Sequence, residues 1–213
     1  PEPVEGKRTT MTPQKTTTSQ RRGRPGYDRE ALLEVCVAEF IKHGYHATSI
    51  GILAEALGVS KSAIYHHVDS KEQLLEMAVE RALGALEGTI TEAEAQAGTS
   101  LDRVEWLLEH SVHLLVTERP YVTLLLRLRG NTEVELAAMA RRRAATKRIE
   151  ALVRTAQQDG LIRPDLGAKA TTRLMLGMVN SIVDWYQLDG TADVDELVHN
   201  VRTIAMDGFR ARP

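Results

Sequence analysis

Residues 49–68 read SIGILAEALGVSKSAIYHHV, and this stretch decides the fold. Ile50, Leu53, Ala54 and Leu57 recur at helical spacing and predict a short helix over 49–57 with one apolar face, capped by Thr48. Gly58 ends that helix, because glycine takes a positive φ without steric cost and lets the chain turn within one residue. Ser60 then caps a second helix over 61–67, whose Ile64 returns to the same core. Ala54 is small where two helices must approach closely, and Val59 can plug the angle between them. Helix, tight turn and helix make a helix-turn-helix, the arrangement that places its second helix in the major groove of DNA.

The side chains of the second helix suit that task. Lys61 can reach base acceptors or a phosphate, and the short Ser62 and Ala63 let the helix sit deep, with Ala63 able to meet a thymine methyl. Tyr65 and His66 fall on the outward face, within reach of backbone phosphates. Thr48, Ser60 and Lys71 lie at helix N-termini, where free N–H groups and the helix dipole favour phosphate. Contacts of that kind position a protein without reading sequence. Plainer roles compete: Thr48, Ser60 and Ser70 can be caps and nothing more, and Tyr65 can pack beneath the preceding helix. His67 reads as a buried, internally satisfied histidine.

Working outward, Asp28 can cap a helix over 29–43 with Leu32, Leu33, Val35, Cys36, Phe40 and Ile41 inward, stopped by Gly44. Ser70 and Gln73 have the spacing of a capping box for a helix running to about residue 95. Further helices are predicted over 101–117, 120–129 with Pro120 in the first turn, 132–159 behind a Thr132 cap, 167–188 and 194–210. No strand pattern and no repeat interrupts them. The expected class is all-α: a disordered basic arm over 1–26, a three-helix DNA-binding domain over 27–72, and a helical effector and dimerisation domain over 73–213.

The 213 residues carry a net charge of −2, which alone does not suggest a nucleic-acid partner. Its distribution does. Lys7, Arg8, Lys15, Arg21, Arg22 and Arg24 have no acid among them, so residues 7–24 hold +6 and the rest of the chain, 1–6 and 25–213, holds −8. A basic arm on an acidic body fits DNA contact at one end, and fits a solubilising tail equally well. No apolar run approaches the ~20 residues of a membrane span, and no secretory signal pattern opens the chain, so a cytoplasmic location is expected. One cysteine excludes an internal disulfide. His110 and His113 share a helix face, but no third ligand completes a metal site, and no cofactor is expected. Without a Gly-rich phosphate loop or a Ser/His/Asp order, an enzyme is not expected. A helical adaptor without DNA binding is the remaining alternative, and the intact 61–66 segment argues against it.

The chain also shows Phe40, Gly44, Ala47-Thr48-Ser49, Leu53-Ala54, Ala56-Leu57-Gly58-Val59-Ser60, Ile64-Tyr65-His66-His67-Val68 and Ser70-Lys71-Glu72-Gln73-Leu74. With these, residues 28–80 resemble the DNA-binding domain of the TetR family of bacterial regulators. The departures are mild: Leu53 replaces a commoner Ile, Val68 a commoner Phe, and Gly51 should soften its helix by ~1 kcal/mol. The resemblance implies a dimeric repressor of a palindromic operator, with Thr48, Lys61, Tyr65, His66 and Lys71 on DNA and Arg21, Arg22 and Arg24 laid in a minor groove. It implies a small-molecule effector among the central helices, for which Trp106, His110, His113, Tyr121, Leu125, Met139, Met175 and Met178 are the candidates. It implies dimerisation through the last two helices. The 160–166 stretch and Trp185-Tyr186 are similar to members that sense acyl-CoA thioesters, and Arg127, Arg129, Arg141, Arg142 and Arg143 could meet CoA phosphates. A hydrophobic drug or a free organic acid is the alternative effector.

Overall fold

The computed structural model describes residues 28–186 and 193–210. Its helices are α1 (Arg29–His43), α2 (Ile50–Leu57), α3 (Lys61–Tyr65), α4 (Lys71–Ala95), α5 (Ser100–Thr117), α6 (Arg119–Arg127), α7 (Glu133–Gln158), α8 (Ala168–Trp185) and α9 (Val194–Phe209). The arm over 1–26, with Arg21, Arg22 and Arg24, lies outside the described residues, as does the stretch to 188 expected to extend α8.

Helices α1 to α3 close on Leu32, Cys36, Phe40, Leu53, Leu57 and Ile64, with Leu74 and Leu75 of α4 beneath them. Cys36 is sealed there, and burial followed by the nearby Glu39 pushes its thiol pKa up to about 12, so it acts as an apolar filler. Helix α4 starts under this small domain and continues into the larger one, packing on α5, α6 and α7. Helix α5 is the central rod, touching α4, α7, α8 and α9. An isolated antiparallel bridge between Ile162 and Arg210, with Arg163 N donating to Phe209 O at 3.0 Å, ties the α7–α8 connection to the end of α9.

Three local expectations are corrected. The N-cap of α2 is Ser49, whose Oγ accepts from Ile52 N, and not Thr48. Thr48 is fully buried and its hydroxyl donates to Gly44 O at 2.8 Å, because the chain needs an internal donor where it leaves α1. Ser70 caps Gln73 N as expected, but the Gln73 amide oxygen reaches one residue further back, to Asp69 N at 2.7 Å. His67 is exposed, since α3 ends two residues earlier than the apolar pattern suggests and carries the residue outward.

Candidate nucleic-acid interface and effector cavity

The α2–α3 corner is built by Gly58 at φ 65°, which lets Val59 N donate to Ala54 O at 3.0 Å. Ser60 Oγ then accepts from Ala63 N at 3.2 Å and starts α3. Ile64 is fully buried and pins the helix by its inner side. Lys61, Ser62, Tyr65 and His66 are consequently all exposed, at the spacing that shares one helix face, with Ala63 half-buried beside them. Tyr65 leaves 52% of its surface free, which excludes the packed alternative. Gly51 gains a reason that composition did not supply. A Cβ there would stand 3.2 Å from Lys61 Cε, so the missing side chain makes room for the lysine stem across α2.

Lys71 is placed differently from the expectation. Its ammonium donates to Tyr45 O at 2.9 Å and Thr48 O at 3.0 Å, and lies 4.3 Å above the Tyr45 ring. These are the carbonyls of the segment that leads into α2. Lys71 and Thr48 therefore hold the N-terminus of the motif in place from inside, instead of reaching outward.

Arg81, Arg127 and Glu135 make polar contacts that join this head to the body. Arg81 of α4 donates to Glu30 of α1 at 3.0 Å and to Glu118 and Tyr121 at the start of α6. Arg127, at the end of α6, donates to Ile41 O at the end of α1 at 2.8 Å. The third is Glu135, which is 2% exposed. Its Oε2 accepts from the backbone N–H groups of Arg129, Gly130 and Asn131 at 3.0, 2.7 and 3.0 Å, while Oε1 lies 3.0 Å from His46 Nε2 in the α1–α2 loop. Burial works to raise its pKa, but the three N–H donors and His46 win and hold it below the usual carboxylate value.

A cavity of about 620 Å³ opens between α4, α5, α6, α7 and α8. Ala82, Leu86, Leu114, Leu115, Val122 and Leu125 are among its apolar walls, and Arg142, Arg143, Lys147, Lys169 and Arg173 line it from α7 and α8. Arg142 reaches Leu125 O at 3.5 Å, and the other four cations make no ion pair among the described residues. By contrast Arg81, Arg141, Arg148, Arg154, Arg163, Arg202 and Arg210 all have carboxylate partners. Glu150 is the single acid in the lining. A larger, more open groove of about 880 Å³ lies between α1, α4 and α7, where most charges already face each other.

Of the eight expected pocket residues, only Leu125 lines the cavity. Trp106 stacks on His110 at 3.6 Å between ring centroids, with His113 next along the helix. Tyr121 is buried against Arg81, Met175 is core, and Met139 and Met178 pack half-buried elsewhere. Aromatic rings and methionines drew the expectation because they stand out in a sequence, whereas the cavity is walled by ordinary aliphatics that five helices bring together. Arg142 and Arg143 do reach it. Arg141 is clasped by Glu80 and Glu87, and Arg127 caps α1.

Leu174 on α8, Trp185 at its end and Ile204 on α9 leave 66%, 57% and 68% of their surfaces exposed. Among the described residues no group of three or more His, Cys, Asp or Glu side chains could hold a metal, and no helix is long and apolar enough to cross a membrane.

Residues 32–78 match the family described as bacterial regulatory proteins, tetR family, and residues 97–209 match the tetracyclin repressor-like C-terminal domain. The HTH-type transcriptional repressor KstR2 of Rhodococcus jostii (strain RHA1) is 28% identical over 210 residues, covering 90% of this chain and 94% of its own. A crystal structure of a TetR-family transcriptional regulator from Streptomyces coelicolor A3 superimposes with a TM-score of 0.79 at 44% identity, over 83% of this chain and 90% of that one. That of AibR in complex with isovaleryl coenzyme A and operator DNA superimposes with a TM-score of 0.69 at 26% identity, over 83% and 96%.

Proposed function

Since the chain belongs to the TetR family of bacterial transcriptional regulators, we propose that it is a dimeric repressor that an acyl-CoA thioester releases from a palindromic operator. Residues 27–72 are the operator-binding domain and 73–213 the effector and dimerisation domain. Ser60, Lys61, Ser62, Ala63, Tyr65 and His66 face DNA, with Arg21, Arg22 and Arg24 following a minor groove beside them. The observation that carries the effector is the cavity: apolar walls for an acyl chain, and cations without partners for phosphates. The complex of AibR with isovaleryl coenzyme A supports the same ligand class.

Release follows from helices that touch both sites. Helix α6 lines the cavity with Val122, Leu125 and Leu126 and holds α1 through Arg127. Helix α4 lines it with Ala82 and Leu86 and begins beneath the motif. A ligand that binds better when these helices are displaced shifts the dimer toward a spacing of recognition helices that no longer matches the operator. A hundredfold loss of operator affinity needs about 2.7 kcal/mol of coupling, well within what such differential contacts supply.

The test is titration of aliphatic and aromatic acyl-CoAs against the operator complex, alongside free carboxylic acids and hydrophobic drugs. Release by the thioesters is expected. Release by free acids or drugs alone would replace the CoA reading with one of an acid- or drug-sensing repressor.

A further inference from the structure

Two polar side chains in the effector cavity have nothing to bond. Ser111 of α5 is buried and Asn180 of α8 half-buried, and both line the cavity. Several helical hydroxyls elsewhere in the molecule turn back on their own helix: those of Thr89, Thr91, Thr123, Thr146 and Thr155 each donate to the carbonyl four residues earlier. The Ser111 hydroxyl makes no such bond, nor any other among the described residues, and the Asn180 amide is equally unpartnered. Neither group is sealed in protein in the way the hydroxyls of Thr171 and Thr172 are. The Glu150 carboxylate joins them in the lining, held by Arg154 one turn along α7.

A purely hydrocarbon ligand would fit the aliphatic walls but would displace water from these groups and give nothing back, leaving a hydroxyl and an amide buried without partners. A ligand with a hydrogen-bonding oxygen part-way along its chain would satisfy them. Ser111 and Asn180 can each donate and accept, and Glu150 can only accept. Resting on the acyl-CoA reading above, we infer that the effector is an oxygenated acyl thioester, carrying a hydroxyl or keto group that Ser111 and Asn180 recognise across the cavity. Thioesters of this class arise by hydration of an unsaturated acyl group or by oxidation of the resulting alcohol. The repressor would then respond to chain breakdown in progress and not to the arrival of intact acyl chains.

Calorimetric titration of the full-length dimer with octanoyl-CoA, β-hydroxyoctanoyl-CoA and β-ketooctanoyl-CoA tests this. At least one oxygenated thioester should bind roughly tenfold more tightly than octanoyl-CoA, the scale of one or two added hydrogen bonds. In Ser111→Ala and Asn180→Leu that preference should shrink to about threefold or less. Both variants should still bind octanoyl-CoA at least as well as the parent does, which also establishes that they fold. Equal binding of all three thioesters, or an undiminished preference in both variants, would overturn the inference and leave the acyl-CoA reading standing. Failure of all three to bind would overturn both.

Discussion

Lys71 shows how much a single contact changes the meaning of a residue. At a helix N-terminus beside a DNA-reading motif, a lysine reads as a phosphate contact. With its ammonium on Tyr45 O and Thr48 O and its charge over a ring, it is a brace for the segment that starts α2. The expected behaviour of variants differs accordingly. Lys71→Ala should weaken operator binding by disordering the N-terminus of α2, yet leave the slope of log affinity against log salt unchanged, because no phosphate contact is lost. Lys61→Ala, by contrast, should reduce that slope by about one if the lysine meets a phosphate, and should relax base preference if it meets a base edge. Filter-binding titrations across a salt series check both. A reduced slope for Lys71→Ala would return that residue to the interface. The outward side of α3 was legible in advance, because periodicity around Ile64 fixes which side of a short helix is exposed. Thr48 and Lys71 were not, since capping and bracing depend on what lies across the fold.

At the level of elements, the N-terminus of α7 joins the two domains. Glu135 takes three backbone N–H groups from the α6–α7 turn and a fourth contact from His46 in the head. Removing it leaves those part-buried donors without their partner, so Glu135→Ala should cost about 2 kcal/mol, read as a shift of the urea midpoint. Its carboxylate pKa is lowered on folding from 4.5, so its contribution is fully present above that pH and fades as pH falls through the lower folded value. Parent and variant should therefore converge in stability in acid below pH 4.5 and differ most near neutrality. Unchanged stability of the variant at neutral pH would remove Glu135 from this role. The helices themselves were largely readable, because Gly44, Gly58, Thr99, Thr132 and Gly160 punctuate the chain. Their ends shifted by a residue or two where a cap competes with a neighbour, as at Ser49.

For the whole molecule, we propose that the exposed apolar side chains on α8 and α9 form the dimer seam. Leu174, Trp185 and Ile204 face outward and are the most exposed large apolar side chains among the described residues. A second copy related by a twofold axis would bury them in a four-helix seam. Ile204→Glu places a charge in that seam and should convert the dimer to a monomer by analytical ultracentrifugation. It should also lower operator affinity by at least roughly a hundredfold, since a half-site alone is held by one recognition helix. A dimer that survives Ile204→Glu together with Trp185→Glu would place the seam elsewhere.

The sequence by itself determined the helical class, the helix-turn-helix and the outward face of α3. Each follows from local signals: apolar spacing at the helical period, a glycine where φ must be positive, and hydroxyl caps three residues ahead of the N–H they accept. The cavity between α4, α5, α6, α7 and α8 was decided by tertiary structure alone. Ala82, Ser111, Leu125, Arg143 and Asn180 come from five different helices. No spacing within one helix records which residues of the others it will meet. Three neighbouring arginines illustrate the same point. Arg141, Arg142 and Arg143 are consecutive, yet one is clasped by Glu80 and Glu87 and the next two line the cavity. A step of one residue turns a helix by about 100°, and the packing of α4 and α8 on α7 determines what each direction meets.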